Sequence, residues 1–289
     1  VPILALVFVL RLGGESDSSG ATNQPVTPTP MPTLAPSLGR VEKFSFFSTA
    51  LGRSMEMAVY VPPGYDTSGD RYPVLYMLHG QGWDDTINWE WETYGIFDTA
   101  GTLMNAGAIQ PFLVVLPQGE RSYWVDHEGG PAWGRYLAVD VVSEVDSRYR
   151  TLSDRDNRAV GGLSMGADGA IQIAMNHPDV FGIAGVHSPV LRPWEIAPNF
   201  AVTREYFEAN YPVAMVQVDP TTARSLTIEL DVGDDDIWLA EVTAFHELLV
   251  RLGIEHTWNR WPGAHHGDYW GAHVPDYLHF YGDAFAGAE

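Results

Sequence analysis

Residues 162–166 read Gly-Leu-Ser-Met-Gly, and their setting restricts the fold more than any other stretch of this chain. An apolar run, 158–161, leads into them, and a run of small and apolar residues, 167–176, leads out with helical character. A serine two residues from glycine on either side, between strand and helix, implies a sharp turn at the end of a sheet. Such a turn lifts the hydroxyl clear of the strand and aims the helix's first N–H groups toward it. The pentapeptide alone is common enough to arise by chance as a tight turn containing serine. The strand–turn–helix setting is what makes it specific.

The surrounding pattern agrees with that setting. Strand-like runs occur at 44–51, 54–61, 73–78, 112–116, 158–163, 182–187 and 226–232, the first two joined by Leu51-Gly52-Arg53 as a hairpin turn. Most of the later runs are continuously apolar, as strands buried on both faces should be. Helical spacing recurs at 136–148, 167–176 and 237–252. Alternating strands and helices predict an α/β fold, a mostly parallel central sheet with helices on both faces. Residues 189–222 carry prolines and aromatics without a clear period, and are read as a cap or substrate wall.

The first forty residues are of a different kind. Residues 1–12 are nearly all apolar up to Arg11 and read as the remnant of a signal peptide or anchor; 13–40 are rich in Pro, Ser and Thr and read as a disordered linker. The domain itself is expected at 41–289, secreted or otherwise extracytoplasmic. Cysteine is absent, which excludes disulfides, thiolate zinc sites and cysteine nucleophiles. The formal charge of −21, from 37 acidic and 16 basic residues, opposes binding to nucleic acid.

Serine is a weak nucleophile that needs a base, itself oriented by a third group. Where a strand–Ser–helix turn of this kind is used, the acid and then the histidine follow in the chain. The acid is sought on the loop after Leu226–Leu230, where Asp231-Val-Gly-Asp234-Asp235-Asp236 follows. The base is sought in Trp261-Pro-Gly-Ala-His265-His266-Gly-Asp-Tyr-Trp270, which offers two adjacent histidines. The aspartates lack the alternating ligand pattern of a calcium loop. The spacing of His266, His273 and His279 fits no common metal motif, so neither metal nor cofactor is expected.

Together, Tyr76-Met-Leu-His-Gly80, Asp146-Ser-Arg-Tyr-Arg150, Gly161-Gly-Leu-Ser-Met-Gly166, His177-Pro-Asp-Val-Phe181, Gly233-Asp-Asp-Asp236 and Gly263-Ala-His265 resemble the esterase D family of α/β-hydrolases. The resemblance covers roughly 44–280. It implies Ser164, His265 and Asp236 as a catalytic triad, with the backbone N–H groups of Met165 and Gln81 as the oxyanion hole. One departure is Ala167, where many relatives have glycine. The implied activity is serine carboxylesterase on a small-molecule or polysaccharide-linked ester, carbohydrate or phenolic. An S-formylglutathione hydrolase, an acyltransferase and a catalytically silent glycan-binding module are the alternatives. Substrate contacts are expected from His79, Trp83, Trp89, Trp91, Tyr123, Trp124, Trp133, Trp194 and Trp238, at loops beyond the carboxyl ends of the strands.

Overall fold

A computed structural model of the chain describes residues 38–82, 88–196 and 200–287. The expected anchor remnant, and all but the last three residues of the expected linker, lie outside these. Eight strands form one sheet: β1 (Arg40–Ser48), β2 (Arg53–Val61), β3 (Val74–Leu78), β4 (Leu113–Pro117), β5 (Arg158–Leu163), β6 (Ile183–His187), β7 (Thr227–Gly233) and β8 (Thr257–Trp261). Their order is β1-β2-β4-β3-β5-β6-β7-β8. Pairings of β1 with β2 and of β2 with β4 are antiparallel, and from β4 to β8 every pairing is parallel.

The principal helices are α1 (Ile96–Asn105), α2 (Val142–Arg148, continuing a π-turn at Tyr136–Val141), α3 (Met165–Asn176), α4 (Arg204–Asn210), α5 (Pro212–Val218), α6 (Pro220–Arg224), α7 (Leu239–Arg251) and α8 (Gly267–Ala286). Alternate residues of the central strands enter two separate cores. Val74, Tyr76, Leu78, Leu113 and Val115 pack with the buried residues of α2, α3 and α7. Leu75, Met77, Val114 and Leu116 pack with those of α1 and α8. Because strand side chains alternate with period two, both faces of the sheet are therefore covered. This is the α/β arrangement the apolar strand runs imply.

Three details depart from the sequence reading. β1 begins at Arg40, because it pairs with β2 along its whole length, from Arg40 opposite Val61 to Ser48 opposite Arg53. β8 and α8 were not anticipated. β8 is an edge strand, half exposed and polar, so it lacks the continuous apolar run of its neighbours. Pro275 lies inside α8 and disguises a helix of 20 residues. The stretch without a period, 189–222, contains α4, α5 and the start of α6. Thr203 and Asp219 cap α4 and α6 through their side chains, and Pro212 and Pro220 stand in the first turns of α5 and α6, where a missing N–H costs nothing.

Candidate active site

Leu163, His187 and Asp231 stand side by side at the carboxyl ends of β5, β6 and β7. The segments that follow these strands therefore meet at one edge of the sheet. Ser164 occupies the turn between β5 and α3 with φ 54° and ψ −118°, a strained conformation for a residue bearing a side chain. The flanking glycines are dictated by contact. A Cβ on Gly162 would lie 2.4 Å from the Gly166 carbonyl oxygen, and one on Gly166 would lie 2.4 Å from that of Leu78. The turn is compressed against itself and against the end of β3, and only glycine fits at both places.

Ser164 Oγ is 2.8 Å from His265 Nε2, and His265 Nδ1 is 2.9 Å from Asp236 Oδ2. Asp236 is buried and His265 partly exposed, so the hydroxyl end of the chain faces the outside. Asp236 and His265 are brought together by backbone: the N–H of Asp234 donates to Trp261 O and that of Asp235 to Gly263 O, both at 2.8 Å. The neighbouring candidates are thereby separated. Asp234 pairs with Arg260, Asp235 is exposed, and Asp231 lies deep in the sheet. His266 caps α8 with an exposed side chain.

Two residues that the sequence reading did not single out hold this chain in place. Ser188, buried and with φ 54°, donates its hydroxyl to Asp236 Oδ2, while the Trp238 N–H donates to Oδ1 at 2.8 Å. Burial opposes ionisation of Asp236, but bonds from His265 and Ser188, the field of His265 and the Trp238 N–H outweigh it and hold the carboxyl below its ordinary range. Asp168, in the first turn of α3, accepts the N–H groups of Val190 and Leu191 and so tethers the loop that bears Ser188. Burial pushes Asp168 up to about 7, against those two bonds and Arg192. A lone carboxylate in an otherwise small and apolar helix was its signal in the sequence; Ser188 had none.

Beside Ser164, a Cβ built on Gly80 would lie 3.4 Å from the serine Cβ, so the segment leading to Gln81 borders the hydroxyl. Gln81 is braced by its side chain: with the amide oriented by its neighbours, it donates to the Tyr123 hydroxyl (3.1 Å) and accepts from Arg121 (2.7 Å). No side chain caps the N-terminus of α3, where Met165 is the first residue. A second histidine–carboxylate pair, His187 and Asp231 at 2.7 Å, lies beneath the serine turn, fully buried with Tyr269, Tyr277 and Tyr281. Its burial keeps it from any substrate.

The expected substrate contacts divide. His79, Trp91, Tyr123, Trp124 and Trp133 are buried. Trp124 Nε1 donates to His79 O, and His79 Nε2 accepts the N–H of Gly119, which makes this pair packing that supports the site. Burial, only partly offset by a bond to Gly80 O, pushes the His79 imidazole down to about 4. Trp133 lies under the Arg53 guanidinium. Trp89, Trp194 and Trp238 are only partly buried, with Lys43 over the Trp89 ring and Arg192 over that of Trp238. Trp83 lies outside the described residues. Sequence position near a strand's end did not distinguish rings that line the surface from rings that fill the core.

A hydroxyl, an imidazole and a buried carboxylate in this order can carry out acyl transfer. The family model "Esterase", described as "Putative esterase", matches residues 48–281. Esterase Rv1288 of Mycobacterium tuberculosis is 30% identical over 154 residues, 52% of this chain and 32% of that protein. An endo-1,4-beta-xylanase/feruloyl esterase of Xylanibacter ruminicola is 30% identical over 162 residues, 52% of this chain and 22% of that protein. The chain thus spans less than a third of the length of these curated relatives where it matches them. Among solved structures, a ferulic acid esterase superimposes with a TM-score of 0.76 at 24% identity, covering 85% of this chain and 98% of that one, a likeness of fold.

Proposed function

This chain belongs to the Esterase family, and on that premise we propose that it is a serine carboxylesterase with Ser164 as nucleophile, His265 as base and Asp236 as the group that orients the base. The observation that carries this reading is the unbroken hydrogen-bonded chain from Ser164 Oγ through His265 to Asp236. As Oγ attacks an ester carbonyl, its proton passes to His265 Nε2, and Asp236 stabilises the imidazolium so formed. That proton then goes to the departing alkoxide, leaving an acyl-serine. Water, deprotonated by the same imidazole, attacks the acyl-serine and frees the acid and Ser164. The N–H groups of Met165 and Gln81 meet the oxyanion, each worth about 2.7–4 kcal/mol in the transition state.

The substrate class proposed is a carbohydrate-linked or phenolic ester, met outside the cytoplasm. The partly buried Trp89, Trp194 and Trp238 favour flat apolar surfaces such as sugar faces and phenolic rings. The feruloyl esterase among the relatives points the same way, and the composition of the first forty residues supports export. The test is a hydrolysis panel of p-nitrophenyl acetate, methyl ferulate, acetylated xylan and S-formylglutathione. Turnover of the oxygen esters, lost in Ser164→Ala, is expected. Turnover of the thioester alone would overturn the substrate class, and hydrolysis retained by Ser164→Ala would overturn the mechanism.

A further inference from the structure

Gln81 is held from beyond its own segment. It follows β3, whereas Tyr123 follows β4 and Arg192 follows β6, and the Tyr123 hydroxyl oxygen joins the other two. That oxygen accepts from the Gln81 amide at 3.1 Å and from Arg192 Nη1 at 2.7 Å. The Arg192 guanidinium also lies over the Tyr123 and Trp238 rings, 5.9 and 5.8 Å from their centroids. In a chain with 37 acidic residues, this arginine donates to a phenol and to no carboxylate among the described residues.

The backbone is strained where these contacts are made. Tyr123 has φ 58°, and Leu191, next to Arg192, has φ 48°, both in the left-handed region that disfavours a residue with a side chain. Such strain persists only where the surroundings over-determine it, and it gathers at functional sites. Leu191 is held by Asp168, which accepts its N–H and that of Val190 from the first turn of α3. Contacts therefore run from α3, which begins at Met165, through Asp168, residues 190–192 and the Tyr123 hydroxyl to Gln81. One oxyanion donor's helix is thereby tied to the other donor's side chain.

We propose that Tyr123 and Arg192 are positioning residues that set the spacing of the two oxyanion donors, Arg192 holding the phenol and the phenol holding Gln81. This rests on the reading of Ser164 as nucleophile and of the Met165 and Gln81 N–H groups as donors. The oxyanion exists only once Ser164 Oγ has bonded to the carbonyl carbon. A displaced donor therefore leaves ester binding alone and weakens the transition state. Arg121 still grips the Gln81 amide oxygen when the phenol is lost, so Gln81 is loosened rather than freed. The expected loss thus falls short of the roughly 10²–10³-fold that follows removal of a donor.

The test compares Tyr123→Phe, Arg192→Met and Arg192→Lys with the wild-type chain on p-nitrophenyl acetate, kcat being counted per serine that a fluorophosphonate titrates. The same proteins are assayed with a trifluoromethyl ketone, whose adduct on the serine carries the oxyanion. Tyr123→Phe should lower kcat and kcat/KM alike, about tenfold, and weaken the ketone by the same factor. Arg192→Met should show about a threefold loss of each, and Arg192→Lys, which keeps a charged donor, should recover most of it. The pH midpoint of kcat/KM should stay in place, because His265 and Asp236 are untouched. Wild-type kcat per serine and ketone affinity in Tyr123→Phe or Arg192→Met, the result if these residues serve folding alone, would overturn the proposal. A shifted pH midpoint would also overturn it, by placing the effect on Asp236 through Trp238. Hydrolysis retained by Ser164→Ala would instead overturn the function on which the proposal rests.

Discussion

Replacing Ser188 by alanine removes one of three donors that surround the Asp236 carboxylate and leaves His265 Nδ1 and the Trp238 N–H in place. A hydrogen bond to a charged group contributes about 1.5–3 kcal/mol. Each Asp236 oxygen keeps one donor, so part of this is recovered. A loss near 1.4 kcal/mol in the transition state, felt as a poorly held imidazolium, lowers kcat about tenfold. KM should move little, because Ser188 is buried and touches no substrate. Ser188→Gly supplies the control: it also lacks the hydroxyl, but glycine adopts φ 54° freely and should be about 1 kcal/mol more stable than the alanine variant. Steady-state kinetics on a p-nitrophenyl ester, with urea unfolding of each protein, separates the two effects. A kcat within twofold of wild type in Ser188→Ala would refute the positioning role. Recovery of kcat in Ser188→Gly would move that role from the hydroxyl to the loop backbone.

Gly166→Ala should lower stability by about 3 kcal/mol, read as a drop in urea midpoint, because the added methyl meets the carbonyl oxygens of Leu78 and His79 at 2.4 and 2.7 Å. His79 is kept neutral by the fold, so the stability it supplies is complete above pH 6.5 and is lost as pH falls toward about 4. The stability gap between wild type and His79→Gln should therefore shrink by about 3 kcal/mol over that interval; a constant gap would show that His79 is not held neutral. Trp124→Ala should cost about 3–5 kcal/mol of stability, whereas Trp89→Ala should cost less and raise KM for aromatic esters.

Much of this architecture could be read from the chain because its signals are local. A strand buried on both faces is a continuous apolar run, and β3, β4, β5 and β6 are each buried throughout. The serine turn was legible for a similar reason, since its glycines answer to contacts within a few residues and with the end of β3. β8 was missed because an edge strand buries only part of one side and can afford Asn259 and Arg260. The short helices of 189–222 fell below the length at which a helical period can be seen, although their caps and prolines were present. Ser188 and Asp168 act through partners 48 and 22 residues away, and no spacing rule reaches that far. For the tryptophans, position near a strand's end marked a neighbourhood and left orientation undetermined: Trp124 turned inward and Trp238 remained partly outside.

Whether Ser164 is an activated nucleophile is read directly by labelling with a fluorophosphonate followed by peptide mass spectrometry. One covalent adduct is expected, on the peptide containing Ser164, lost in Ser164→Ala and strongly slowed in His265→Ala. An adduct on another residue, or labelling that persists in Ser164→Ala, would contradict it.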